Sequence, residues 1–122
     1  MIRKLKTLAV YVADQEKALE FYRDQIGFDV RRDLPMGPPG RWIEVAPPGA
    51  ESSIVLYPKV MMPDWDRRIP TIVFACDDTV ASCAELVKRG VALVKQPQKM
   101  AWGTFASFAD LDGNELGLTD QP

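Results

Sequence analysis

The acid–base repertoire of this chain is narrow, because its 122 residues include no histidine. The commonest general base at neutral pH and the commonest metal ligand are both missing. Two glutamates in strand-like runs, Glu44 and Glu115, are the candidate bases. A carboxylate in apolar surroundings has a raised pKa and takes up a proton near neutral pH. The same two residues also read as solvated charges at strand ends. Without histidine there is no Ser–His or Cys–His pair. Cys76 and Cys83, with six residues between them, match no metal-binding spacing and read as buried thiols. The sequence has no G-x-x-x-x-G-K and no G-x-G-x-x-G phosphate loop.

Binding chemistry is better represented. Trp42, Tyr57, Trp65, Trp102, Phe105 and Phe108 could line a pocket or fill an ordinary core. Arg41 offers a planar fork to a carboxylate or phosphate, or else lies solvated on the surface. Met61, Met62 and Trp65 suit an adaptable lid or a subunit interface. A net charge of −2 argues against nucleic acid or an anionic membrane as the main partner. No apolar run approaches the roughly 18 residues needed to span a bilayer. Leu8 to Val12 is too short for a signal-peptide core, so the expected location is the cytoplasm.

The elements that position these residues form an internal repeat. Thr7-Leu-Ala-Val-Tyr-Val-Ala-Asp14 recurs 64 residues later as Thr71-Ile-Val-Phe-Ala-Cys-Asp-Asp78. Both runs read as strands, and both end in an aspartate suited to cap a helix. The first helix is expected from Gln15 to Ile26, with Ala18, Leu19, Tyr22 and Ile26 on its apolar face. The second carries Val80, Cys83, Ala84 and Val87 as its stripe. Gly27 and Gly90 stand at the expected left-handed C-terminal positions. Strand-like segments follow: Phe28 to Val30, Arg41 to Ala46 and Ser52 to Tyr57, then Val91 to Val94, Thr104 to Ala109 and Glu115 to Thr119. Leu34 to Gly40 reads as a loop, and Asp110 to Asn114 as a tight turn. The chain is therefore α+β, one domain of two tandem βαβββ modules: residues 1–58, a link over 59–69, and residues 70–122.

Strand alternation sorts the side chains. If Thr7 faces a pocket, so do Ala9 and Tyr11; likewise Thr71, Val73 and Ala75, and Glu115, Gly117 and Thr119. Small residues at Ala9, Ala75 and Gly117 leave room for a cavity.

Val12-Ala-Asp14, Ala18-Leu-Glu-Phe21-Tyr22 and Ile26-Gly27-Phe28 resemble the opening of the vicinal oxygen chelate superfamily, which holds glyoxalase I, bleomycin-resistance proteins and extradiol dioxygenases. Trp102-Gly103, Phe108 and Asp110-Leu111-Asp112-Gly113-Asn114 resemble its ending, with Leu111 where proline is usual. The resemblance implies curled mixed sheets forming a cup, helices outside, and commonly a homodimer. It also implies metal positions, which fall on Thr7, Thr71, Gly117, and Val55 or Tyr57. Two hydroxyls, a glycine and an apolar or phenolic residue bring no charge to a dication. The expectation is thus no metal and no cofactor; the alternative is a weakly held divalent ion on displaced carboxylates. The leading reading is a metal-independent small-molecule binder of the bleomycin-resistance kind. Its candidate ligand-binding residues are Thr7, Tyr11, Arg41, Trp42, Tyr57, Thr71, Trp102 and Gly117. The alternative is a glyoxalase-like lyase, isomerase or dioxygenase using Glu44 or Glu115.

Overall fold

Each half of the repeat builds a four-stranded mixed sheet with one helix in the computed structural model, which describes residue 1 and residues 3–121. The two compact units are Met1–Pro70 and Thr71–Pro122, so the expected link, 59–69, groups with the first. The first contains β1 (Thr7–Val12), α1 (Gln15–Glu20), β2 (Asp29–Pro35), β3 (Arg41–Ala46) and β4 (Ser53–Pro58). Its strand order is β1-β4-β3-β2, with β1 parallel to β4 and the other pairs antiparallel. Short helical turns over Lys59–Met61 and Trp65–Arg67 follow. The second unit contains β5 (Ile72–Ala75), α2 (Thr79–Lys88), β6 (Ala92–Met100), β7 (Gly103–Ala109) and β8 (Glu115–Thr119), ordered β5-β8-β7-β6. The class is α+β, as the repeat predicts.

The helices begin where the sequence places them. Asp14 accepts from the Lys17 N–H at 3.0 Å, and Asp78 from the Ala81 N–H at 3.1 Å. Each bond satisfies a donor that has no partner within its helix. The helices end differently. From Asp14 to Gly27 the chain is one residue longer than from Asp78 to Gly90. The extra residue is absorbed by a wide turn over Phe21–Gln25, closed by Ile26 N–H to the Phe21 carbonyl at 3.2 Å. Such wide turns accommodate a single inserted residue inside a helix. In the second unit, Val91 N–H reaches the Leu86 carbonyl and Gly90 N–H that of Val87, with Gly90 at φ +86°. That is the ordinary glycine-terminated end.

The stripe on α2 is turned from the expected one. Thr79 and Cys83 are buried and Leu86 is partly so, whereas Val80, Ala84 and Val87 are exposed. The cause is Thr79, whose hydroxyl donates to the Thr104 carbonyl at 3.0 Å. Its backbone N–H meets Asp120 at 3.3 Å. A satisfied buried threonine thus fixes the helix rotation that the apolar pattern left open. In the first unit Gln15 holds the corresponding place. Its amide donates to the Arg41 and Leu56 carbonyls at 2.6 and 2.7 Å and accepts from the Arg41 N–H at 3.0 Å.

Two strands run further than expected. β2 continues through Pro35 into the expected loop, and β6 extends to Met100. Both are edge strands, where a proline removes no bond the sheet needs. Pro97 sits inside the register break between Lys95 and Gln98. The first unit's core is Val10, Val12, Leu19, Tyr22, Ile43, Val45, Ile54 and Leu56, between α1 and one face of the sheet. Each fully buried aliphatic side chain contributes about 2 kcal/mol.

Candidate functional site

The direction of β3 decides what the other face of this sheet presents. Arg41 donates to Glu16 on α1 at 2.7 Å and to Asp33 at 2.6 Å. Its side chain therefore lies on the helix side, and alternation sends Trp42 and Glu44 to the face opposite α1. Strand register then aligns Ala9, Val55, Glu44 and Arg32 in one row across the sheet. On the same face Tyr11 pairs with Tyr57 and Leu34 with Trp42, with Tyr11 and Tyr57 edge to face at 6.0 Å.

Glu44 is the polar centre of this face. It is 6% exposed, accepts from the Trp42 indole N–H at 2.7 Å, and has the Arg32 guanidinium 3.6 Å away. One carboxylate oxygen makes both contacts; among the described residues its other oxygen has no donor. A buried carboxylate bonded on one side only is a strong acceptor for a ligand N–H or O–H.

The remaining sequence candidates are dispersed. Thr7 opens the same face, half-buried. Thr71 is exposed and precedes β5. Arg41 is tied into its ion pairs, which hold Asp33 below the ordinary carboxylate range and the guanidinium above its own. Glu115 is exposed beside Lys95 at 3.7 Å. Trp102 stands 47% exposed, edge-on to Phe105 at 6.4 Å. Phe108 faces α2 in the core with Leu116. Cys83 is buried, and that burial pushes its thiol upward.

In the second unit the matching row is Val73, Gly117, Ser107 and Lys95. The repeat thus pairs Glu44 with Ser107 and Val55 with Gly117. Ser107 is 1% exposed and its hydroxyl has no hydrogen-bond partner. The Phe105 ring lies over Gly117, 3.1 Å from where a Cβ would stand.

Sequence reasoning missed three features. The Trp42–Glu44 bond was not foreseen because the facing of β3 was open. The Gln15 lock escaped notice, since nothing in a strand–helix pattern marks a glutamine amide as an anchor. Arg67 and Arg68 were passed over as link residues, yet they flank Tyr11 and Ala9 in an open cavity of about 340 Å³. Two adjacent arginines before the second module were the available signal.

A paired mixed-sheet protein with one aromatic face and a buried acceptor belongs to the class of folds that present a small-ligand surface on a curled sheet. The chain is a member of the Glyoxalase/Bleomycin resistance protein/Dioxygenase superfamily, whose family model matches residues 4–118. It is 46% identical to the uncharacterised protein YetH of Bacillus subtilis over 98% of this chain and all of that one. The crystal structure of TnmS3, an antibiotic binding protein from Streptomyces sp. CB03234, matches with a TM-score of 0.84 at 41% identity. That match covers 99% of this chain and 98% of the other. A superfamily member from Sphaerobacter thermophilus matches with a TM-score of 0.86 at 32% identity, covering 97% of each.

The donor set does not fit the divalent ion that such folds imply. Val55 is a buried alkyl group, Thr7 and Thr71 offer neutral hydroxyls, Tyr57 is engaged edge-on with Tyr11, and a phenyl ring covers Gly117. Among the described residues, no three acids or thiols cluster as ligands. None of these groups brings a negative charge to offset a dication.

Proposed function

We propose that this protein binds a small aromatic molecule without a metal, sequestering or sensing it as an antibiotic-binding protein does. The observation that carries the reading is one sheet face holding the Tyr11–Tyr57 pair and Trp42, with the Trp42 indole bonded to the buried Glu44 carboxylate. Aromatic walls supply the area, and one well-placed acceptor supplies orientation. The likeness to TnmS3 supports this ligand class. The reading also takes the working form to be a cytoplasmic homodimer. Exposed Val60 in the first unit and exposed Val73 in the second offer apolar surface for a second copy.

The test is native mass spectrometry of untagged protein against a panel of aromatic antibiotics, with tryptophan fluorescence in parallel. The expected result is a one-to-one complex per subunit that quenches Trp42 and returns the ligand unchanged. Turnover of the ligand, lost in Glu44→Gln, would replace this reading with the enzymatic one, in which Glu44 takes up a proton. No complex with any panel member would leave neither reading standing. Light scattering checks the dimer, and cell fractionation the location.

A further inference from the structure

We infer that the corner of the first unit between β1 and the turn at Trp65–Arg67 is an oxyanion site, selecting ligands that carry a carboxylate on an aromatic body. The inference deepens the ligand-binding reading above and rests on it. The corner is an open cavity of about 340 Å³ lined by Ala9, Tyr11, Arg67, Arg68, Ile69 and Pro70.

Its charges do not cancel. Arg68 Nε donates to Asp64 at 3.0 Å, which neutralises one guanidinium. Arg67 has no ion pair among the described residues. Asp66, the other acid of the turn, is exposed and pairs with neither arginine. Lys59 is held over the Trp65 ring, 4.0 Å from its centre. One guanidinium fork is therefore left to meet an anion, and its planar donors match a carboxylate. Ala9, Ile69 and Pro70 supply apolar walls beside the guanidinium.

Tyr11 joins this corner to the rest of the site. It lines the cavity, lies beside the Arg68 guanidinium, and meets Tyr57 edge to face at 6.0 Å. A ligand whose rings lie along Tyr11, Tyr57 and Trp42 can thus place an acidic substituent at Arg67. Glu44, in the neighbouring row beside Arg32, is placed to accept a ligand N–H or O–H.

The experiment titrates the full chain with 2-naphthoate and with its neutral counterpart 2-naphthamide, by tryptophan fluorescence at low and high salt. The naphthoate is expected to bind about fivefold to tenfold tighter, the scale of one partly exposed charge-assisted bond. Arg67→Gln should abolish that preference and leave naphthamide unchanged, Arg67→Lys should keep part of it, and high salt should narrow it. Equal affinity for both probes, or an equal loss of both in Arg67→Gln, would overturn the corner while the aromatic reading survives. Binding of neither probe would remove both.

Discussion

Gly117 is the position at which the superfamily pattern calls for a metal-binding carboxylate, and a double-mutant cycle tests what occupies its space. A Cβ there would lie 3.1 Å from two atoms of the Phe105 ring and 3.1 Å from a Val73 methyl. Carbon atoms prefer roughly 3.5–4.0 Å, so three neighbours must each yield by a few tenths of an ångström. Overpacking of this kind costs about 1–3 kcal/mol, and removing a glycine from a strand returns about 0.5–1 kcal/mol. The Phe105 ring is itself held edge-on by Trp102, which limits its retreat. Gly117→Ala is therefore expected to destabilise by about 1 kcal/mol. In a Phe105→Ala background two of the three close contacts vanish, and the same substitution should become neutral or slightly stabilising. The expected coupling is about 1 kcal/mol, read from urea midpoints at constant m-value. A coupling within about 0.3 kcal/mol of zero would mean that no ring covers this glycine.

Two further predictions concern residues that hold the fold of each unit. Arg41→Ala removes the ties to Asp33 and Glu16 and should lower stability by about 1 kcal/mol, since these pairs are at least a third exposed. Affinity for 2-naphthoate should not move; a parallel loss would give Arg41 back the role of anchor. Asp120 accepts from the Thr104 and Thr79 N–H groups at 2.8 and 3.3 Å, and these bonds hold its pKa below the ordinary value. With the folded pKa depressed, the stability it contributes is complete above the unfolded value, about 3.9. That stability is lost as pH falls through the folded value. Thermal midpoints should accordingly fall more steeply below about pH 4 in the wild type than in Asp120→Asn, and parallel curves would show that this carboxylate does not carry the effect.

Much of the framework was legible because it is local. The repeat, the aspartate caps and the glycine ends each rest on a few neighbouring residues, and the structure places all of them as read. Registers across strands were not legible, and they decide the site. Whether Trp42 or Arg41 faced the ligand side depended on a contact between β3 and α1, 25 residues apart in sequence. The apolar stripe of α2 misled for a related reason. Val80 and Val87 are more hydrophobic than Thr79, but the Thr79 hydroxyl finds the Thr104 carbonyl at the start of β7, which a valine side chain cannot use. The wide turn after α1 was implicit in the extra residue before Gly27, yet an insertion says nothing of how the backbone takes it up.

The two units have diverged in a consistent direction. At matching strand positions the first carries Trp42, Glu44 and Tyr57 where the second carries Phe105, Ser107 and Thr119. The first face is thus large, aromatic and charged. The second is filled by its own Phe105 over a glycine and leaves a buried hydroxyl without a partner. An orphaned hydroxyl costs about 1–3 kcal/mol. The helix-facing positions of the same two strands, Ile43 and Val45 in the first unit and Ala106 and Phe108 in the second, are apolar and buried in both, so the divergence lies on the opposite faces.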